Sequence, residues 1–256
     1  MRKGIERMNI LICGVGGRMG REVAKLALDG VRGATVVAGF DVIPVDTREF
    51  PTYTDWSLVK EKIGCIIDFS HHTATEALLN FAKKNNISVV IATTGHTDEE
   101  KNNILEAAKE IPVFHSANMS LGIALLVELA KSAAKAFPEA DIEIVEKHHN
   151  RKLDAPSGTA LLLANAIKEV RKSARFIFGR EGLAKREADE IGIHAVRMGN
   201  IIGEHEVIVG TDTQTITLKH EAHSRALFAE GAMAAAEFLI KQPAGLYDMK
   251  SMIDAE

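Results

Sequence analysis

Through its first 118 residues the chain alternates short apolar runs with segments of helical period, and this restricts its fold more than any other feature. MNILIC leads into RMGREVAKLALDG, whose Val23, Ala24 and Ala27 share one helical face before a stop at Gly30. ATVVAGFD follows, ending on Asp41, and then CIIDFS, TATEALLNFAKKN, ISVVIATTG, TDEEKNNILEAAKE and PVFHSAN repeat strand and helix in turn. The acidic first turn of TDEEKNN suits the positive end of a helix dipole. Strands that read as unbroken apolar runs belong to parallel sheets covered on both faces. The stretch VIPVDTREFPTYTDW has two prolines and no period, and reads as loop.

After residue 118 the pattern changes. SLGIALLVELAKSAAKAF reads as a long helix. DIEIVEKHH alternates, with Ile142, Ile144 and Glu146 on one side and Glu143, Val145 and Lys147 on the other. A helix is expected from about Ser157 to Lys172. IHAVRMG, HEVIVGT and TQTITLKHEA then lie close together, with a hairpin expected at Gly210-Thr211-Asp212-Thr213. In the last of them Thr213, Thr215 and Thr217 face one way and Ile216 and Leu218 the other. SRALFAEGAMAAAEFLIKQ reads as a closing amphipathic helix. The fold class is therefore α/β: a Rossmann-type doubly wound parallel sheet, followed by a second α+β domain on a mixed or antiparallel sheet.

Composition removes several functions. A chain of 256 residues with net charge -4 and scattered basic residues offers no nucleic-acid surface. No run approaches the ~18 apolar residues of a membrane span, and MRKGIERM has no apolar segment after its charges to act as a secretory leader. Cys13 and Cys65 adjoin apolar runs and read as core residues, without a disulfide framework or CxxC. A cytoplasmic location is expected.

Gly14-Val15-Gly16-Gly17-Arg18-Met19-Gly20 lies between the first strand and the first helix. In that position a glycine loop binds pyrophosphate, because the turn needs positive φ, the backbone must approach the ligand and the helix start offers free N–H groups. The spacing departs from G-x-G-x-x-G, since Met19 stands at the third glycine. Asp41 ends the second strand, where a carboxylate accepts from a ribose hydroxyl and repels a 2′-phosphate. Val42 follows it rather than an arginine, so NADH is expected over NADPH. Arg18 is placed to lie against pyrophosphate or adenine. Ala92-Thr93-Thr94-Gly95 and Ser116-Ala117-Asn118-Met119-Ser120 fall at the carboxyl ends of strands, the edge where doubly wound sheets bind ligands.

EKHHNRKLDAPSGTA, residues 146–160, concentrates a different chemistry. His148 can give or take a proton near neutral pH. Lys152, with Arg151 beside it, can hold a carboxylate or stabilise developing negative charge. Asp154 or Ser157 can cap a helix starting near Pro156, so that the amides of Ser157, Gly158 and Thr159 face an anion. Together these suit a small acidic substrate that must be protonated. A zinc site is disfavoured: adjacent His148 and His149 point to opposite faces of a strand, and no H-x-x-x-H spacing occurs. A serine hydrolase would need a G-x-S-x-G elbow around Ser157, which is absent.

The segment EKHHNRKLDAPSGTA resembles the signature of the 4-hydroxy-tetrahydrodipicolinate (dihydrodipicolinate) reductase family of lysine biosynthesis. GVGGRMGRE, ATTG, SANMSLG, GEH and HSRALFAEGA resemble its other landmarks in the same order. The resemblance implies a dinucleotide-binding domain from residues 1–118 plus 226–256, a substrate-binding and oligomerisation domain at 119–225, and a homotetramer. It implies that Gly14, Val15, Gly16, Gly17, Arg18 and Met19 hold the dinucleotide and Asp41 the adenosine ribose, with Ala92, Thr93, Thr94, Ser116, Ala117, Asn118 and Met119 on the nicotinamide side. His148 would then give or take the proton and Lys152 give a second, while His149, Gly158 and Thr159 bind the substrate carboxylates. An arginine that some members carry after the Asp41 position, and an aromatic residue common at the Met119 position, are missing here. The implied activity is NADH- or NADPH-dependent reduction of a cyclic imine dicarboxylate in the diaminopimelate pathway. The competing readings are a dinucleotide-sensing regulator without turnover and another Rossmann reductase of a small carboxylic acid.

Overall fold

The computed structural model describes residues 8–255. The first seven residues, on which the reading about a leader falls, lie outside them. Contacts divide the chain into two units, Met1–Ser120 with Ala226–Glu256, and Leu121–Arg225.

The first unit is built on a seven-stranded sheet in which every neighbouring pair is parallel. Its strands are β1 (Met8–Cys13), β2 (Ala34–Phe40), β3 (Thr52–Tyr53), β4 (Cys65–Asp68), β5 (Ser88–Ile91), β6 (Pro112–His115) and β12 (Gly245–Tyr247), in the order β12-β6-β5-β4-β1-β2-β3. The order turns back at β1 and β4, so the strand ends on either side of that step open the crevice where such sheets bind ligands. The helices are α1 (Arg18–Leu28), α2 (Thr75–Asn85), α3 (Asp98–Ala107), α6 (Ala226–Leu239) and α7 (Met249–Ile253). Thr97 and Glu100 close a capping box on α3. Leu11, Ile66, Val89, Ile91 and Val113 are fully buried, which explains their unbroken apolar runs.

Two readings change here. The expected loop 42–56 contains the edge strand β3, whose pairing with β2 no period in the sequence announces. The expected closing amphipathic helix is α6, but it neither closes the chain nor has one apolar face. Ala229, Gly231, Ala232, Met233, Ala234, Ala235, Ala236 and Leu239 are all buried, and β12 and α7 follow it. Small residues let α6 lie close to its neighbours: a Cβ on Gly231 would stand 1.7 Å from the Met119 carbonyl oxygen.

The second unit is a five-stranded mixed sheet in the order β11-β10-β7-β9-β8, with α4 (Leu121–Ala136) and α5 (Gly158–Val170) packed on it. β7 (Asp141–His148) is antiparallel to β10 (Gly203–Gly210), which pairs antiparallel with β11 (Thr215–Ala222). β7 is parallel to β9 (Glu190–Arg197), and β9 to β8 (Arg175–Phe178), a strand the sequence did not suggest. The hairpin at residues 210–213 forms, with the Thr211 amide donating to the Gln214 carbonyl; Thr213 belongs to the turn rather than the strand.

Register turns this sheet into cross-strand rows. On the face that carries the core, the first two rows are Ile191-Ile142-Val209-Ile216 and Ile193-Ile144-Val207-Leu218. The next is Ala195-Glu146-His205-His220, and beyond it Arg197 pairs with His148 and Gly203 with Ala222. One continuous face thus passes from aliphatic to polar within two residues of β7.

Candidate functional site

In the first unit a cavity of about 930 Å³ opens at the carboxyl ends of β1, β2 and β4. It is lined by Gly14, Gly16 and Gly17 from the first turn, Asp41 to Asp46 after β2, and Phe69, Ser70, His71, Thr73 and Ala74 after β4. Gly14 has φ +78, and a Cβ there would meet the Phe69 carbonyl oxygen at 2.7 Å. Gly17 caps α1 with extended backbone and no side-chain bond, leaving the helix start open to an anion. A Cβ on Gly20 would lie 2.2 Å from the Gly14 carbonyl oxygen. The close helix-to-strand packing that a third glycine provides, missing at Met19, is therefore supplied one residue later.

Asp41 faces this loop. Its Oδ2 accepts from the Gly16 amide at 2.9 Å, so the carboxylate is held at the cavity wall. Val42 and Ile43 beside it are largely exposed. Of the other residues singled out in the loop, Val15 is buried, with its side chain against Gly39. Arg18 is exposed and Met19 half-buried, and neither is among the residues lining the cavity, whereas Arg21 is.

Ala92, Thr93 and Thr94 follow β5 directly, and Ser116 to Met119 follow β6. Thr93 is buried and donates to Asp68 Oδ2 at 2.8 Å. The Ser116 hydroxyl donates to the Asn118 carbonyl. Ala117 is exposed, and Met119 is buried. Asp68, which sequence reasoning missed, also accepts from the Ser70 amide at 3.0 Å and the Ser70 hydroxyl at 2.5 Å. Burial raises its pKa against these bonds.

In the second unit the polar rows gather the other cluster. Glu146 is fully buried. Its Oε2 accepts from His148 Nδ1 at 2.6 Å and Arg197 Nη1 at 2.8 Å; its Oε1 accepts from Arg197 Nη2 at 2.7 Å and the Ser157 amide at 2.9 Å. Burial would raise the carboxyl pKa, but the bonds from His148, Arg197 and Ser157 outweigh it and hold it at about 2. His148 Nε2 lies over Gly203, where a Cβ would come within 3.1 Å. His205, also buried, shares a hydrogen bond of 3.1 Å with the Ser157 hydroxyl, and burial pushes its pKa down to about 4.

Ser157 caps α5 by accepting from the Ala160 amide. Its own amide, expected to face a ligand, is instead engaged by Glu146, and Gly158 and Thr159 follow it in the first turn of the helix. A Cβ on Gly158 would meet nothing within 4 Å. Ser157 rather than Asp154 is the N-cap residue, but the Asp154 carboxylate also takes the Gly158 amide in the first turn and pairs with Lys152 Nζ at 2.7 Å, and the Lys152 bond leads in lowering its pKa. The His149 amide donates to the Ile201 carbonyl at 2.7 Å, and burial leads in lowering the His149 pKa.

Glu146, Arg197, Gly203 and His205 were not among the expected site residues. One signal was available: Glu146 continues the row of Ile142 and Ile144, where a carboxylate needs a buried partner. Among the described residues no three His, Cys, Asp or Glu side chains are grouped to hold a metal, and no helix is long and apolar enough to cross a membrane.

Comparison with known proteins agrees with this geometry. Residues 8–119 match the family model for the dihydrodipicolinate reductase N-terminus, and residues 122–253 the model for its C-terminus. A 4-hydroxy-tetrahydrodipicolinate reductase from Caldanaerobacter subterraneus subsp. tengcongensis is 50% identical over 96% of this chain and 98% of its own. The one from Clostridium novyi is 42% identical over the same shares. Among solved structures, a dipicolinate-bound dihydrodipicolinate reductase from Paenisporosarcina sp. TG-14 superposes with a TM-score of 0.80 at 27% identity, covering 94% of this chain and 97% of that one.

Proposed function

The chain belongs to the 4-hydroxy-tetrahydrodipicolinate reductase family, an oxidoreductase family of the lysine and diaminopimelate pathway, and from that premise we propose how its residues divide the work. The dinucleotide lies in the cavity of the first unit. Its pyrophosphate rests on the open start of α1 beside Gly14, Gly16 and Gly17, and its adenosine ribose bonds to Asp41. The steric need for glycine at positions 14 and 20 and the uncapped amides after Gly17 fit that group. The ring side follows Ala92 to Thr94 and Ser116 to Met119. Bound NADH or NADPH supplies a hydride. NADH is the better fit, because Asp41 repels a 2′-phosphate and the apolar Val42 and Ile43 offer it no cation.

The substrate is the cyclic dicarboxylate. Lys152 and the amides of Gly158 and Thr159 bind one carboxylate, with His149 beside them. A single observation carries this assignment: the chain's own Asp154 carboxylate already sits between the Lys152 ammonium and the Gly158 amide. A cradle that holds an internal carboxylate can hold a substrate's. The hydroxyl leaves as water, His148 Nε2 taking a proton from the neighbouring carbon and Lys152 giving one to the departing oxygen, which leaves a conjugated ring. Hydride then adds to the carbon that bore the hydroxyl, negative charge moves towards the ring nitrogen where Lys152 stabilises it, and His148 returns the proton to the neighbouring carbon. The protein works as a homotetramer in the cytoplasm.

A coupled assay with synthase-generated substrate, run with each cofactor in turn, tests this. NADH consumption is expected to exceed NADPH consumption. His148→Gln and Lys152→Ala should each lower kcat by roughly 10²–10⁴ with NADH Kd retained. Wild-type rates in the double variant would remove both roles, and NADH binding without any turnover would leave only a dinucleotide-binding protein.

A further inference from the structure

His148 is as effective as its orientation. An imidazole that must act through Nε2 needs its proton placed on Nδ1 and its ring held still, and a partner on Nδ1 does both. His148 has such a partner two residues back on its own strand. Positions i and i+2 of a strand face the same way, so Glu146 reaches Nδ1 at 2.6 Å without any turn of the backbone.

The carboxylate is itself held. Arg197 grips both oxygens from the neighbouring strand β9. A planar guanidinium forked on a carboxylate fixes direction as well as charge, which a lysine would not do. The same guanidinium donates to the Asp154 carbonyl at 2.6 Å, on the loop that carries the carboxylate cradle. The remaining Glu146 bond goes to the Ser157 amide at the start of α5. One buried carboxylate thus joins the ring of His148, the loop before α5 and the first turn of α5. His205 and its row neighbour His220 flank the group, and Lys152 contributes positive charge nearby.

We propose that Glu146 is a positioning residue for this reaction: clamped by Arg197, it fixes the His148 ring with the proton on Nδ1 and Nε2 free to act, and it sets that ring in register with the Gly158–Thr159 cradle. The inference rests on the function proposed above. Glu146 touches no substrate. It acts through His148 and through Ser157, and Arg197 completes it by neutralising a charge that burial would otherwise expel.

Glu146→Gln preserves shape and removes the anion. The expected result is a kcat lower by roughly 10- to 100-fold, substrate KM changed less than about threefold, and NADH Kd unchanged. The pH profile of kcat should change with it, because the fixed anion beside the ring is gone. A residue that only stabilised the fold would shift the melting temperature and leave the pH profile in place. Nitrogen-15 NMR of the wild-type protein gives a second reading that needs neither turnover nor a foldable variant: the His148 signals should show a protonated Nδ1 and, in the neutral ring, an unprotonated Nε2. An Nε2–H tautomer in the wild type, or a Gln variant with unchanged kcat and pH profile, overturns the proposal. A wild type that shows the expected tautomer but reduces no substrate would instead count against the proposed reaction, and so the two failures are told apart.

Discussion

Each unit buries one carboxylate at the carboxyl end of a central strand, and the two are solved in opposite ways. Asp68, ending β4, has only neutral donors: the Ser70 amide and hydroxyl, the Thr93 hydroxyl and the Cys13 thiol. Burial wins and its pKa rises. Glu146 has neutral and charged donors together, and the Arg197 fork with the His148 ring takes it down to about 2. The difference suits what each would hold in the proposed function. Asp68 ties the ends of β1, β4 and β5 beside the cavity proposed for the dinucleotide. Glu146 is proposed to steady a side chain that changes protonation, and a fixed negative charge suits that role.

Removing the cation should break the contrast most severely. Arg197→Met leaves Glu146 buried without its counter-charge, at a cost of about 3–5 kcal/mol. Chemical denaturation would read it as an earlier transition. A loss below about 1 kcal/mol would mean that Glu146 relaxes as easily as a surface acid.

Acid should separate the two regions next. His205 has its pKa lowered from 6.5 to about 4, by burial first and by His148 second. The unfolded chain therefore takes up this proton before the folded one does, and stability that is complete above pH 6.5 is lost as pH falls towards 4. On the order of 3 kcal/mol is at stake. Glu146 continues the loss from 4.5 down to about 2, where its bonds are finally protonated away. Asp68 runs the other way. With its folded pKa raised above 3.8, its contribution is complete at low pH and declines as pH rises through the folded value. Hydrogen-exchange protection in β7, β9 and β10, taken relative to the intrinsic exchange rate at each pH, should therefore fall between pH 6.5 and 4, and His205→Gln, which cannot charge, should flatten that slope. An equal slope in β1, β4 and β5 would count against this assignment.

Much of this was legible in the sequence because it rests on local pattern. The alternation of strand and helix, the glycine turn and the His-His segment all lie within a few residues, and each implies its own neighbours. What escaped depends on register. Arg197 lies 51 residues from Glu146, and His205 48 from Ser157. Nothing in the sequence states that β9 runs parallel to β7 with Arg197 opposite His148. The short strands β3, β8 and β12 escaped for a related reason, since two to four residues carry too little period to stand apart from a loop. The Ser157 amide was assigned to a ligand because the row that brings Glu146 beneath it could not be seen.

The smallest expected effect is the most discriminating. Asp68→Asn replaces a buried carboxyl, whose pKa burial raises, with a neutral amide of nearly the same shape. The amide oxygen can keep accepting from Ser70, and the Thr93 hydroxyl can turn to accept from the new NH₂. No counter-ion is stranded, because among the described residues no cation is hydrogen-bonded or ion-paired to Asp68. Stability at pH 7 should change by less than about 1 kcal/mol, and dinucleotide affinity by less than about tenfold. The corresponding change in the other unit, Glu146→Gln, leaves the half-buried Arg197 against a neutral group. If Asp68→Asn proved the costlier of the two, the neutral hydroxyl, amide and thiol donors would have to hold the carboxyl of β4 as firmly as Arg197 holds Glu146.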